Sequence, residues 1–541
     1  MKLEDIMQVN SSLNSEIQYN PVRKTRFLLM GLLIILNIIV RIPSIPHEKG
    51  YDSFFIHSLA NSVSNAGVAQ WWINWMSVFG LYPYSYASAV PFTLSGISQL
   101  IGVRMEIAIL LFCVILGLFS IFASYSLATV LYDNFLHRFL FTFIYSLSAG
   151  TLNLTTWEIT TRAQIIVFLP FLMYLAFQIV KKLKVSFILM FFMTALLLLA
   201  THHFIYLTML YSGIIFLTAI LYRLSKRNNY LNIHKTQFER INLSYAYISI
   251  FFLLIGLIFL NGSKWGLITA GSRYTWIITM GIITGRNVGF FLPLSIGGLI
   301  YIVFKKDKLL EDWAILICLL PTAIFSFNQT YGYLSTYLFA TLLGAVGFLN
   351  IIKNQTRRSK TVAIVVIMIL ISNVAFSTFF VHYRLGLKGG YSDWYMKEGT
   401  FSTGEWIKNY ISHDKIAVEN GFETDRMVAS YGGKPIVYSD DITNYINGLT
   451  TLDQQNIMKN SPFSKEFYFD NPYVLNASSS DSVLNWIYLF PITDRRASEF
   501  INKLNVSYYY EDIATHNNLF DSLPENKDKI YDGGRMRLWV N

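Results

Sequence analysis

Long apolar runs separated by short polar segments recur along the first 380 positions, and the pattern then changes. The runs have the length of a bilayer-spanning helix, roughly 17–25 residues, or fall somewhat short of it. They predict about eleven helices, near 27–42, 106–131, 138–150, 163–181, 185–201, 204–222, 243–260, 289–304, 313–327, 333–351 and 361–381. Beyond 381 the runs shrink to strand length, at 415–418, 435–438, 506–510 and 537–540, with a helical stretch at 404–411. Gly386, Gly389 and Gly390 mark a hinge between the two regimes. The expected architecture is a polytopic α-helical membrane domain over 1–381 followed by an α/β soluble domain over 382–541.

The charges fix which way the helices run. Basic clusters sit at Arg23, Lys24 and Arg26, at Lys181, Lys182 and Lys184, at Arg223, Lys226 and Arg227, at Lys305, Lys306 and Lys308, and at Arg357, Arg358 and Lys360. Alternation through eleven spans puts all of them on one side, which the positive-inside rule makes cytoplasmic. The odd span count then leaves residues 382–541 outside the cell membrane. The first apolar run has no cleavage-site pattern after it and reads as a retained anchor.

Composition agrees with a membrane protein. The chain of 541 residues is 53% hydrophobic and 14% charged, with mean hydropathy +0.41. A soluble chain carries about 25% charged residues. Residues 382–541 hold 16 Lys+Arg against 21 Asp+Glu, a net of −5, leaving +15 for the rest of a chain whose total is +10. The basic excess therefore belongs to the membrane part, where it sets topology, and does not indicate nucleic acid. Cys113 and Cys318 both lie in apolar runs and read as buried small hydrophobes.

Candidate chemistry gathers on the outward loops. Glu48 and Asp52 follow the first helix, and Glu158 and Arg162 follow the third. His202 and His203 end the fifth, and Lys264, Arg273 and Arg286 follow the seventh. Carboxylates with a divalent cation can hold a phosphate leaving group, and Arg or His can share its charge. The same residues have plainer readings. Glu158 and Arg162, four apart, can equally form a helix-surface ion pair. The histidines can be interfacial side chains with polar tips. Trp71, Trp72 and Trp75 suit an aromatic belt.

The stretch His47-Glu48-Lys49-Gly50-Tyr51-Asp52-Ser53-Phe54-Phe55, with Leu81-Tyr82-Pro83-Tyr84 and Val90-Pro91-Phe92 after it, resembles the first outer loop of the catalytic subunit of oligosaccharyltransferase and its GT-C glycosyltransferase relatives. The order of parts is similar too. The resemblance implies glycosyl transfer on the extracytoplasmic face of the plasma membrane. The donor would be a polyprenyl-phosphate-linked sugar, the acceptor a glycan, lipid or protein, and the cofactor a divalent cation, Mg or Mn. It gives Asp52 and Glu158 catalytic and metal-holding roles, with Glu48, Arg162, His202, His203 and Arg273 around the substrate. The sequon-reading Trp-Trp-Asp-Tyr-Gly motif of the oligosaccharyltransferases is absent; its place reads Glu419-Asn420-Gly421-Phe422-Glu423. Two other readings remain open at this stage. One is a non-catalytic relative that binds a glycan, lipid or protein partner. The other is a lipid-linked glycan transporter, against which stands the scarcity of charge inside the spans.

Overall fold

The computed structural model of the chain describes residues 22–66, 89–202, 204–227, 275–328, 332–354, 359–384 and 396–412, and beyond these 415–419, 427–428, 431, 436–437, 493–495, 498, 502, 506–513 and 523–540. The expected helix at 243–260, the Trp-rich stretch at 71–75, His203 and Arg273 lie outside the described residues.

The helical body runs α1 Arg23–Ile39, α2 Tyr51–Ala66, α3 Ala89–Ile101, α4 Met105–Leu131, α5 Phe135–Leu147, α6 Ala149–Leu152, α7 Thr161–Lys182, α8 Val185–Leu199 and α9 Ile205–Arg227. It continues with α10 Thr275–Val288, α11 Leu292–Phe304, α12 Leu310–Asn328, α13 Gly332–Asn354 and α14 Ser359–Thr378. Among the described residues six segments are long and apolar enough to cross a membrane, and three further apolar helices are shorter. The protein is a multi-pass membrane protein. Its core lies between α4, α7 and α13, where Leu116, Ile166, Leu172, Leu338 and Phe339 are buried together. The outer flanks of α1, α8 and α14 expose leucine, isoleucine and phenylalanine, as helices facing lipid do.

Two helices near the candidate chemistry differ from the sequence expectation. Residues 51–66 form a helix where a loop was expected. Ser, Asn and His are weak helix formers, and tertiary contacts supply what propensity lacks: Ile56, Ala60 and Val63, spaced by about one turn, are buried in the main core. Residues 275–288 are also helical, so Arg286 lies on a helix and not in a loop. They lead through a short 3-10 turn at Gly289–Phe291 into α11. Gly289 has a φ of +67°. The Asn373 side chain of α14 accepts from Phe290 N at 3.2 Å and so holds the break.

The C-terminal body holds α15 Glu398–Tyr410, then β1 Ile416–Glu419, β2 Ile436–Val437, β3 Val506–Asp512, α16 Leu523–Asn526, β4 Asp528–Asp532 and β5 Met536–Val540. The sheet order is β2-β1-β3-β5-β4. β1 pairs parallel with β2 and β3, while β5 pairs antiparallel with β3 and β4. β3 is central, and Tyr508, Tyr509 and Tyr510 are all buried, as in a strand covered on both faces. Sequence reading misses β4 because Asp-Lys-Ile-Tyr-Asp has the charged, exposed pattern of an edge strand. Ile407 of α15 packs with Ala417, Tyr508 and Leu538, while Phe401 of the same helix packs against Phe54 of α2. α15 thus touches both bodies.

Candidate active site

Two chain segments meet at one end of the helical body. The first, His47–Gly50, leads into α2, and the second, 153–160, leads into α7. Lys49 N donates to Trp157 O at 3.2 Å, and Ile159 N donates to the Ser53 hydroxyl at 3.1 Å. The Trp157 indole donates to Glu106 O at 3.2 Å. Trp157 has a φ of +47°, a left-handed backbone for a bulky residue. That bend delivers Glu158 toward Gly50. Gly50 has a φ of +94°, and a Cβ there would lie 2.7 Å from the Glu158 Cγ. Both facts demand glycine at this position.

Asp52 sits in the first turn of α2 and accepts from the Arg162 guanidinium in the first turn of α7. Thr160 caps α7, accepting from Ala163 N at 3.1 Å, and so fixes where Arg162 emerges. The Asp52 side chain is 40% exposed and that of Arg162 27%, so this pair forms the open side of the site.

Glu158 forms the closed side. Its Oε2 lies 3.8 Å from Lys49 Nζ, and both side chains are 5% exposed. Lys49 Nζ also donates to Val381 O at 3.4 Å, where α14 ends in a π-helical turn at Phe379–Arg384. Burial pushes the Glu158 carboxyl up to about 7; Lys49 pulls it down, Asp52 pushes it up and Arg162 pulls it down. Burial lowers the Lys49 ammonium, and Glu158 opposes that shift. A carboxyl poised near neutrality can accept and return a proton at working pH.

Two polar clusters support these residues. Arg41 is buried beneath the second segment. It donates to the Thr155 hydroxyl at 3.1 and 2.9 Å, to Asn37 at 2.9 and 2.8 Å, and to Ser146 O at 3.4 Å. On α2, His57 donates to Glu48 Oε1 at 2.5 Å and Ser53 donates to Glu48 Oε2 at 3.0 Å. Both Glu48 oxygens are therefore engaged inside the protein.

Of the residues expected at the site, the structure gathers Glu48, Asp52, Glu158 and Arg162. Arg162 serves Asp52, and the Glu158–Arg162 surface pair does not form the site's main contact. His202 lies at the turn between α8 and α9, where its ring accepts from Phe204 N at 3.0 Å. The neighbouring Thr201 hydroxyl donates to Gln164 of α7 at 2.7 Å, which ties that turn to the helix bearing Arg162. Sequence reading does not single out Lys49, Arg41, Ser53 or His57. The available signal was a lysine flanked by acids in a chain short of charge.

Among the described residues no group of three or more His, Cys, Asp or Glu could hold a metal ion. Glu158 Oε2 is buried without a hydrogen-bond partner, an atom a cation would satisfy. A Mg- or Mn-type ion would take its other ligands from water and from phosphate oxygens.

No family model matches the chain, and no curated protein does. Solved structures do match. One is the archaeal oligosaccharyltransferase AglB from Archaeoglobus fulgidus with an inhibitory peptide and a dolichol-phosphate. Identity is 10% over 90% of this chain and 69% of that one, with a TM-score of 0.56. The Archaeoglobus fulgidus oligosaccharyltransferase with Zn and sulfate matches at 11% identity over 90% and 68% of the two chains, with a TM-score of 0.58. The mycobacterial arabinofuranosyltransferase AftD matches at 10% identity and a TM-score of 0.52, over 98% of this chain and 40% of that one. The chain shares the fold of these structures. It spans about two fifths of the arabinofuranosyltransferase's length.

Proposed function

We propose that this protein is a membrane glycosyltransferase that moves a sugar or glycan from a polyprenyl-phosphate-linked donor to an acceptor on the extracytoplasmic face of the plasma membrane. The acceptor is a glycan, lipid or protein. Residues 1–381 form the membrane domain, and 382–541 form the extracytoplasmic domain. The observation that carries this reading is the meeting of two acid–base pairs, Asp52 with Arg162 and Glu158 with Lys49, at the end of the helical body away from its basic rim. The GT-C fold and the dolichol-phosphate bound to its archaeal neighbour support a lipid-phosphate donor.

In the transfer, the bond between the sugar C1 and the phosphate oxygen breaks, and a bond forms between C1 and the acceptor's nucleophilic atom. The acceptor's proton passes to Asp52, the more open carboxylate, and the phosphate leaves with the bonding electrons. Arg162, released from Asp52 as Asp52 takes that proton, holds the phosphate oxygens through its planar donors. Glu158, on the closed side of the site, can change its charge near neutral pH, because burial pushes its carboxyl up to about 7. Where Asp52 instead holds a metal together with Glu158, a divalent cation, Mg or Mn, would supply positive charge for the leaving phosphate. His202, His203 and Arg273 would help to bind the substrates.

The test is incubation of the protein in lipid nanodiscs with a panel of labelled polyprenyl-phosphate sugars and with membrane extracts as acceptor. The expected result is release of polyprenyl phosphate with movement of label to an acceptor. Binding of donors with no turnover of any would support the non-catalytic relative instead.

A further inference from the structure

His47 lies five residues before Asp52 and between the helical and C-terminal bodies. Its ring faces a carboxylate on each side. Nδ1 is 3.0 Å from Glu106 Oε1 in the first turn of α4, and Nε2 is 3.0 Å from Glu398 Oε2 at the start of α15. Ionised carboxylates only accept hydrogen bonds, and a neutral imidazole donates from one nitrogen. Both bonds to ionised carboxylates form together only when the ring carries two protons.

The remaining contacts point the same way. The ring stacks on Phe401 of α15 at 4.1 Å between centroids and 19° between planes. Tyr431 meets it edge-on at 6.5 Å. Met396 N donates to Glu48 O at 3.1 Å. Phe54, two residues after Asp52, is fully buried with Met396, Met427 and Tyr431. α15 and its neighbours therefore hold the 47–54 segment by charge at one point and by apolar packing at another. The other charged groups nearby are Arg104, whose charge reaches the Tyr431 hydroxyl, and Glu48, which is held by His57. Lys49 turns away toward Glu158, and Lys397 precedes Glu398 on α15.

We propose that His47 is a positioning residue whose doubly protonated ring clamps the C-terminal body onto the helix that carries Asp52, so that the site is held together while the ring is charged and loosens when it is not. The consequence for catalysis rests on the reading of Asp52 given above; the clamp itself does not. Burial lowers the ring's affinity for its proton, and Glu106 and Glu398 together outweigh burial, leaving it above the ordinary histidine value. A value raised in the folded state gives stabilisation that is complete below the unfolded value and is lost as pH rises through the folded one.

The experiment is hydrogen exchange of the full-length protein in nanodiscs from pH 6 to pH 9, corrected for intrinsic rates, with transfer measured on the same samples. Hydrogen bonds to charged groups are of a size that predicts about a tenfold loss of protection in the 47–57 segment across this range. His47→Gln should be low at every pH. Glu398→Gln changes a side chain that is 73% exposed and leaves the fold intact, so it should show a pH response at least threefold smaller than wild type, on the scale of an exposed charge contact. Protection that does not change with pH, or a Glu398→Gln profile matching wild type, overturns the clamp whatever the activity. A pH-dependent clamp in a protein that transfers no sugar keeps the clamp and removes the catalytic reading.

Discussion

Arg162 shows how a side chain's meaning depends on a partner that sequence spacing does not reveal. Four residues from Glu158, it reads as that residue's helical neighbour, yet its guanidinium turns to Asp52 on a different helix, 110 positions away. With 27% of its side chain exposed, this pair contributes little to stability, because water screens it. On the proposed function its role is to bind the donor phosphate. Arg162→Met should raise the donor's KM by about tenfold or more, the scale of a lost charge-assisted bond, while the thermal midpoint barely moves. Steady-state kinetics over a donor titration, beside a melting curve, check this. Asp52, Glu158 and Arg162 were legible in the sequence as charges placed where apolar runs stop. Lys49 and Arg41 were not, because nothing local says that a lysine will be buried against an acid 109 residues away, or that an arginine ending an apolar run will fold back beneath a loop.

At the scale of elements, the long apolar helices α4, α7, α13 and α14 were readable because each buries or exposes hydrophobic surface over more than five turns. α2 was not, since its polar residues hide a face only three or four side chains wide. That helix is nonetheless the one that carries Asp52, and its start depends on Gly50. Gly50→Ala should destabilise the protein by about 1–3 kcal/mol through the left-handed backbone. It should also cut transfer, because the new Cβ would displace Glu158. Thermal unfolding and transfer rate measured together test both effects. In the C-terminal sheet, Asp512 is buried and accepts from Arg535 at 2.8 and 2.6 Å across the β3–β5 end. Asp512→Asn should cost this body about 1–3 kcal/mol, the scale of a lost hydrogen bond to a charged group, because the Arg535 side chain is 26% exposed. Circular dichroism melting of the full chain would show it. Glu525, exposed on α16, is the neutral position for comparison.

Across the whole molecule, charge separates to two ends. At one end Lys181 meets Glu311, Lys305 meets Asp312 at 2.6 Å, and Arg223 donates to Val180 O at 2.5 Å. These are the basic clusters that the positive-inside rule assigns to the cytoplasm. At the other end lie Asp52, Glu158, Arg162 and α15. Cysteines replacing Asp133, 89% exposed in the loop between α4 and α5, and Glu525 should differ in intact cells. An impermeant thiol reagent should label only the second, and Cys113 and Cys318 are buried and give little background. Labelling of the first alone would invert the membrane and remove the outward-facing site. On the proposed function the charge of Asp52 drives sugar transfer. The direct measurement is transfer from a lipid-phosphate sugar in nanodiscs by wild type, Asp52→Asn and Glu525→Gln. Asp52→Asn should fall by about two orders of magnitude or more, the scale of a lost general base or key electrostatic group, with Glu525→Gln unchanged. Transfer by Asp52→Asn at near the wild-type rate would show that the Asp52 charge does not drive the reaction.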